Sequence, residues 1–167
     1  MKARLALLGA ALIGLAGCGL HPLYSGGASG PVATQLAQVT VGPIPGKDGW
    51  LVHNNLVDRL RATGSAAPRY RLDVKLDDDI IGFGLRRNNQ ITRERRSLRA
   101  RYQLTDMTTN GVVLDATAES DVGIDVVNSE YATIAAEQSA LERLADDIAD
   151  QIVARLALFA KRNGKPE

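Results

Sequence analysis

Three segments in the middle of the chain alternate apolar and polar residues, as half-buried strands do. Their apolar positions, in chain order, are Tyr70, Leu72, Val74 and Leu76; Leu98, Ala100, Tyr102 and Leu104; and Val112, Leu114, Ala116 and Ala118. Charged residues occupy many of the positions between them. Because each segment has a single apolar face, the pattern predicts an antiparallel sheet that is covered on one side.

A short strand and a helix are predicted ahead of these segments. Ala37, Val39 and Val41 alternate with polar or small residues, which indicates the strand. The helix would be capped by Asp48 and extend to about Arg61, because apolar residues recur at helical spacing and a glycine stands just beyond that end.

The longest predicted element is a C-terminal helix. Ser129 is a suitable N-cap, and apolar residues recur on one side of the segment to about Arg162. Its length of about 45 Å, at 1.5 Å per residue, is enough to cross a sheet. The order β-α-β-β-β-α predicts an α+β fold, a two-layer sandwich in which a four-stranded mixed sheet carries two helices on one face.

Charge and parity predict the registers of two hairpins. In the first, partner numbers summing to 172 would place acids opposite arginines, in the pairs Asp73–Arg99, Asp77–Arg95 and Asp79–Arg93. In the second, a two-residue turn at "NG" would expose the apolar face of one strand, so a three-residue loop with a sum of 220 is expected. That loop needs a left-handed residue, and Gly111 is predicted to supply it with a positive φ.

The N-terminal segment has the parts of an export signal: a basic start, an apolar stretch from Leu5 to Ala16 and small residues before Cys18. The apolar stretch is too short to span a bilayer, which takes about 20 residues. "LAGC" resembles the lipobox of bacterial lipoproteins, whose cysteine carries a diacylglyceryl group and becomes an acylated N-terminus. An ordinary secretory signal with an unrelated nearby cysteine is the alternative, and it leaves the position of the small residues unexplained.

This interpretation divides the chain into a signal peptide (1–17), a lipidated tether (18–34) and a single α+β domain (35–167). The covalent lipid on Cys18 would be the only cofactor, and Gly19, where lipoproteins of the inner membrane carry Asp, predicts the outer membrane. Without Lys2 and Arg4, the 20 basic residues become 18 against 19 acidic ones. That balance predicts no general affinity for nucleic acid, so a charge-driven function must come from local clusters.

The clearest cluster is a run of seven arginines and one acid between Arg86 and Arg101. Arginines in the middle of the strand can pair with the acids of the preceding strand. Arginine forks also match phosphate geometry, so the remaining ones can hold the phosphorylated headgroup of a lipid. The candidate residues for an anionic ligand are Arg86 and Arg87 at the hairpin tip and Arg101, which the predicted register places opposite Arg71.

No catalytic or metal site is predicted. His21 and His53 have no partners at the spacing of a metal site or a catalytic triad. The three aspartates at 77–79 are not followed by the oxygen ligands of a calcium loop, and "GFGLRR" at 82–87 lacks the features of a phosphate loop.

Several stretches, taken in order, match a known family: "GCGLHPLY", "YRLDVKL", "RARYQLTDMTTNGVVL" and "SEYATIAAEQSALERLADDIA". Together they resemble the LptE family of lipopolysaccharide-assembly lipoproteins, in its alphaproteobacterial form. The resemblance implies a non-enzymatic lipoprotein on the periplasmic side of the outer membrane, which partners the LptD barrel and binds lipopolysaccharide. It does not carry the ligand residues of the family over to individual positions here.

Two other functions stay open at this point. The chain could be the auxiliary lipoprotein of an ABC-type lipid transport system, which would have the same anchor and fold class. A lipid-tethered periplasmic enzyme would need a nucleophile and a base, for which the sequence offers only isolated Ser, Thr and His residues.

Overall fold

The computed structural model describes residues 30–64, 66–85, 91–127 and 129–163. The elements in chain order are α1 (Pro31–Leu36), β1 (Val39–Val41), α2 (Gly46–Arg61), β2 (Tyr70–Leu85), β3 (Ile91–Asp106), β4 (Gly111–Asp125) and α3 (Glu130–Asn163). The strands lie in the order β1-β2-β3-β4, with β1 parallel to β2 and the other neighbours antiparallel. The predicted α+β class and the four-stranded mixed sheet are therefore confirmed.

One face of the sheet packs against α2 and α3. Side chains of β2 and β3, such as Leu72, Leu98 and Leu104, form a continuous buried cluster with Leu56 of α2 and Ile148 of α3. Each side chain of this size contributes about 1.5–3 kcal/mol when it is fully buried. On the opposite face, the described side chains of β2, β3 and β4 are exposed or half-buried.

Helix α1 was missed by the sequence analysis, and its first four residues fall in the segment assigned to the tether. Pro31 stands at the first helical position, where a missing N–H costs nothing. Val32, Ala33 and Leu36 are buried, and Leu36 packs near Phe159 at the C-terminal end of α3. The Gly, Ser and Pro content of this region is typical of a linker, so the six-residue helix was not predicted.

The predicted cap of α2 is wrong, whereas that of α3 is confirmed. Helix α2 begins at Gly46 after an extended Pro45, with no side-chain capping bond. Asp48 lies in the first turn instead, where its negative charge interacts favourably with the positive end of the helix dipole. In α3, Ser129 Oγ accepts a hydrogen bond from the N–H of Ala132 at 3.4 Å, and the helix runs for 34 residues.

The β2–β3 hairpin has partner numbers summing to 176, so the predicted sum of 172 is wrong. Asp73 faces Gln103, Asp77 faces Arg99 and Asp79 faces Ser97, while Arg101 faces Lys75 rather than Arg71. The observed register matches apolar residues on the buried face, in the pairs Leu72–Leu104, Val74–Tyr102 and Leu76–Ala100. Burial of these side chains outweighs cross-strand charge pairs, which are worth about 0.2–1 kcal/mol each.

The β3–β4 hairpin also differs from its prediction. Partner numbers sum to 218 up to Leu104–Leu114, and a bulge then shifts the register, so that Thr105 pairs with Val112. The loop has four residues, 107–110, and positive φ occurs at Asn110 (54°) and not at Gly111. Leu114 and the alternate residues after it face the helices, as predicted. Val112 was also predicted to face the core, but it is exposed.

Candidate functional site

The arginine-rich segment lies in the part of the β2–β3 hairpin that extends beyond the apolar core. We call residues 78–85 and 91–97 the distal hairpin. Leu98 is the last fully buried residue of β3 toward this end. Beyond it, the helix-facing positions are Asp78, Ile80 and Gly82 on β2 and Arg96 and Glu94 on β3. The helix-facing side of this hairpin therefore becomes more polar along its length, while β4 beside it keeps Val122 and the buried Ile124 on that side.

Arg96 connects the distal hairpin to helix α3. Its guanidinium donates to both carboxylate oxygens of Asp78, at 2.8 and 2.5 Å, and to the backbone oxygen of Glu137 at 2.9 Å. The Arg96 side chain is only 12% exposed and that of Asp78 only 21%. Hydrogen bonding to Asp78 raises the pKa of Arg96 above its ordinary value, against the opposing effect of burial. The two bonds to Asp78 and the bond to the Glu137 oxygen together fix the hairpin against the helix.

The other arginines of β3 form a row of ion pairs with β4 on the open face, which we call the arginine ladder. Its pairs are Arg93–Asp125 (3.0 Å), Arg95–Asp121 (3.6 Å), Arg99–Glu119 (3.6 Å) and Arg101–Asp115 (3.1 Å). The predicted partners of these arginines were the acids of the preceding strand. Among the arginines of β3, only Arg96 has such a partner, Asp78. Exposed pairs of this kind contribute at most about 1 kcal/mol each, so their arginines can exchange partners at little cost.

Arg101 has the most complete set of contacts in the ladder. Its Nε and Nη2 both donate to Asp115, at 3.4 and 3.1 Å, and Gln103 donates to the same carboxylate at 2.9 Å. Hydrogen bonds from Arg101 and Gln103 lower the pKa of Asp115, and the bond to Asp115 raises the pKa of Arg101. An anionic ligand at Arg101 would have to compete with this carboxylate.

Exposed apolar side chains lie beside the arginines of the distal hairpin. Ile80, Ile81 and Phe83 are all exposed, and the Arg95 guanidinium lies 5.8 Å from the centre of the Phe83 ring. Ile81 and Phe83 share the open face with Arg93 and Arg95. This combination was not predicted, because the apolar pattern of the strand was followed only to Leu76. The apolar residues Ile80, Ile81 and Phe83, which directly follow the aspartates, were the signal that could have extended the strand.

The predicted site residues do not all come together. Arg101 lies ten residues along β3 from Ile91, about 33 Å at 3.3 Å per residue. Arg86, Arg87 and Cys18 are outside the described residues. Anion binding by the three arginines, lipidation of Cys18 and the division into signal peptide, tether and domain stay predictions.

The rest of the described surface holds no group of side chains arranged as a metal site. Within the described ranges, no three His, Cys, Asp or Glu side chains are grouped as metal ligands. His53 lines a groove of about 390 Å³ between β1 and α2, together with Val57 and Arg61. None of the helices in the described part of the chain combines the length and apolarity needed to cross a bilayer.

Comparison with known proteins identifies the family. The family model for LptE, described as lipopolysaccharide-assembly, matches residues 36–156, which is well over half of the chain. The chain belongs to the LptE family. The family is non-enzymatic, so the arginines and apolar residues of the distal hairpin are candidates for binding and not for catalysis. A comparison with curated proteins finds no match.

Solved structures agree with this assignment. A lipoprotein from Caulobacter crescentus is 25% identical, with a TM-score of 0.67 over 83% of this chain and 100% of that chain. The minor lipoprotein of Acinetobacter baumannii is 15% identical, with a TM-score of 0.58 over 73% of this chain and 92% of that one. Rare lipoprotein B from Shewanella oneidensis is 10% identical, with a TM-score of 0.59 over 75% and 100%. The last two show the fold alone.

Proposed function

We propose that the protein is an outer-membrane lipoprotein, anchored through lipid on Cys18, that partners the LptD barrel and binds lipopolysaccharide during its assembly into the outer leaflet. The observation that carries this proposal is the LptE family match over residues 36–156. The match also favours it over an auxiliary role in an ABC-type lipid transport system.

The open face of the sheet supports a barrel as the partner. The interior of a transmembrane barrel is polar, so a protein seated in it needs a polar surface. The arginine ladder gives β3 and β4 such a surface, because opposite charges alternate across the two strands and leave little net charge. The exposed apolar side chains on this face lie toward its two ends: Ile81 and Phe83 at the distal end, and Val112, opposite Thr105, at the other.

The distal hairpin supports lipopolysaccharide as the ligand. Lipopolysaccharide presents phosphate groups next to acyl chains, so a binding surface needs cations beside apolar side chains. Arg93 and Arg95 lie beside Ile81 and Phe83, and their carboxylate partners are exposed and weakly held. Phosphate can therefore replace a carboxylate on either guanidinium through bidentate bonds. Arg86 and Arg87 follow β2 directly and would add two further charges.

Co-purification from native membranes tests the partner. The tagged full chain is expected to bring down a large outer-membrane barrel in a fixed ratio, together with lipopolysaccharide. An inner-membrane ATPase complex in its place would support the ABC-type alternative and contradict the proposal.

Binding of purified lipopolysaccharide tests the ligand. Arg86→Glu with Arg87→Glu is expected to weaken binding several-fold at low salt and to leave a weaker dependence on salt, since exposed charges act through screened attraction and two attractive charges are lost. The matched control is Arg143→Glu with Arg155→Glu, the same charge change on the exposed side of α3. Equal losses of affinity in both double variants would mean that only the net charge of the protein matters. No loss in either variant would mean that lipopolysaccharide binds at another site.

A further inference from the structure

The turn between β3 and β4 exposes a small apolar surface at the opposite end of the sheet from the distal hairpin. Met107, Val112 and Val113 are 39%, 54% and 39% exposed. We call these three residues the turn surface. Nothing in the proposed binding of lipopolysaccharide at the distal hairpin uses it.

The exposure of both valines is a consequence of the bulge. Leu104 pairs with Leu114 and Thr105 with Val112, so Val113 is an extra residue on β4. In a regular strand, successive side chains point to opposite faces and one of two neighbours would be buried. Bulges re-aim side chains in this way and are common next to functional sites.

The turn is held in place by buried polar contacts. Asp106 is only 5% exposed and accepts hydrogen bonds from the N–H of Thr108 at 2.8 Å, from the Thr108 hydroxyl and from Arg69 at 3.1 Å. The N–H of Met107 donates to the backbone oxygen of Arg69 at 2.9 Å. Asn110 takes the left-handed conformation that closes the loop. The apolar side chains are therefore presented on a rigid support, with little entropy left to lose on docking.

The turn surface lies at the end of the fold where the N-terminal segment joins it. Leu36 of α1 packs with Leu104 near the start of the turn and with Phe159 near the end of α3. Only residues 19–29 separate Cys18 from Gly30, where the described chain begins, and they span at most about 40 Å when extended. The last turn of α3 adds two cations at this end, Lys161 and Arg162.

We propose that the turn surface docks on the anionic phospholipid surface of the membrane that holds the Cys18 lipid. The inference rests on the lipid anchor of the proposed function. A short tether keeps the turn close to the membrane, the apolar side chains enter the interface, and Lys161 and Arg162 face anionic headgroups. A second copy of the chain is a poorer occupant, because the same two cations would then face each other.

A single introduced thiol can test this docking. Cys18 is the only cysteine and acylation consumes its thiol, so Val113→Cys in the lipidated full chain accepts one fluorophore. The protein is reconstituted in vesicles of phosphatidylethanolamine and phosphatidylglycerol that contain a nitroxide-labelled lipid. Tyr131→Cys is the matched control, since it is 84% exposed and lies at the start of α3, at the opposite end. Met107→Cys provides a second label position if Val113→Cys disturbs folding.

We expect several-fold stronger quenching at Val113→Cys or Met107→Cys than at Tyr131→Cys, and loss of that difference when Val112→Asp is added. Intact mass of the vesicle-bound protein reports acylation separately. Acylated protein with equal quenching at both ends would overturn the docking surface and leave the anchor intact. Protein without acyl chains would overturn both. Protection of the Val113→Cys label from quenching once the barrel is added, or a dimer that Val112→Asp dissociates, would assign the surface to a protein partner and overturn membrane docking.

Discussion

The two halves of the β2–β3 hairpin use the same strands and the same alternation, yet they are stabilised differently. The half that ends at Tyr70 and Asp106 points leucine, valine and tyrosine side chains into a core closed by α2 and α3. The distal half presents Asp78, Glu94 and Arg96 on the same face and is joined to α3 through Arg96. The comparison indicates that apolar burial determines the fold, while directional polar contacts position the distal hairpin against α3.

The largest difference is expected from truncating a core residue. Leu104 is 1% exposed, so Leu104→Ala should lower the free energy of unfolding by about 2–5 kcal/mol, since it leaves a cavity in the core. The counterpart, Ile81→Ala in the exposed distal half, should change it by less than about 0.5 kcal/mol. Urea denaturation measures both. A comparable loss for Ile81→Ala would mean that the distal half has a packed core of its own.

Removing the Arg96 contact should have a smaller and more local effect. Arg96→Met leaves the Asp78 carboxylate, whose side chain is 21% exposed, without its partner, at an expected cost of about 1–3 kcal/mol. Hydrogen exchange should show faster opening of the distal amides than of those around Leu104. In the cycle with Asp78→Asn, the double variant should lose less than the sum of the two single losses. Strict additivity would show that the two side chains act independently.

The β3–β4 turn offers a sharper test of where backbone strain lies. Asn110 has the positive φ, so Asn110→Val should cost about 1–2 kcal/mol, since a β-branched residue is strained in that conformation. Gly111→Val should cost less, because its φ is not positive and its nearest obstacle is the Thr109 hydroxyl. Thermal unfolding of both variants decides the matter. The reverse order of losses would restore the turn expected from the sequence.

The smallest effect is expected in the arginine ladder and depends on pH. Arg101 and Gln103 lower the pKa of Asp115, so this carboxylate stabilises the folded state above its unfolded pKa of about 4. The contribution disappears as the pH falls through the lowered folded pKa. Arg101→Ala should therefore reduce stability at neutral pH by less than Asn110→Val does, more at low salt than at high salt, and hardly at all in strong acid. Unfolding followed across pH and salt would contradict this if the loss stayed constant.

Apart from the short helix α1, the element types could be predicted from the sequence, because alternation and helical spacing report burial along one segment at a time. The registers could not. Sums of 172 and 176 keep the same residues on the same face, so parity determines the face but leaves the partner open. The choice depends on burial summed over both strands, where Leu76 opposite Ala100 prevails over Asp77 opposite Arg95. The turn could not be predicted for a similar reason. Its residue Asp106 bonds to Arg69, which lies just before β2 and is distant in the sequence.

The candidate site was predictable in composition but not in its pairing. The density of arginines in β3 was evident, and the expectation that most of them pair with acids was correct. Their partners lie mainly on β4, because the register of a second hairpin sets which acids are adjacent. Tertiary structure was also needed to place Phe83 beside Arg95 and to separate Arg101 from the hairpin tip.

The length of the long elements has a consequence for transport across a membrane. Helix α3 has 34 residues, which at 1.5 Å per residue is about 51 Å. A bilayer measures about 40–45 Å with its headgroups. A molecule anchored at the turn end in the inner leaflet, and upright inside a barrel, would therefore hold its distal hairpin at the level of the opposite leaflet. The distance that lipopolysaccharide must travel would then be matched by the span of a single rigid domain, without any change in its conformation.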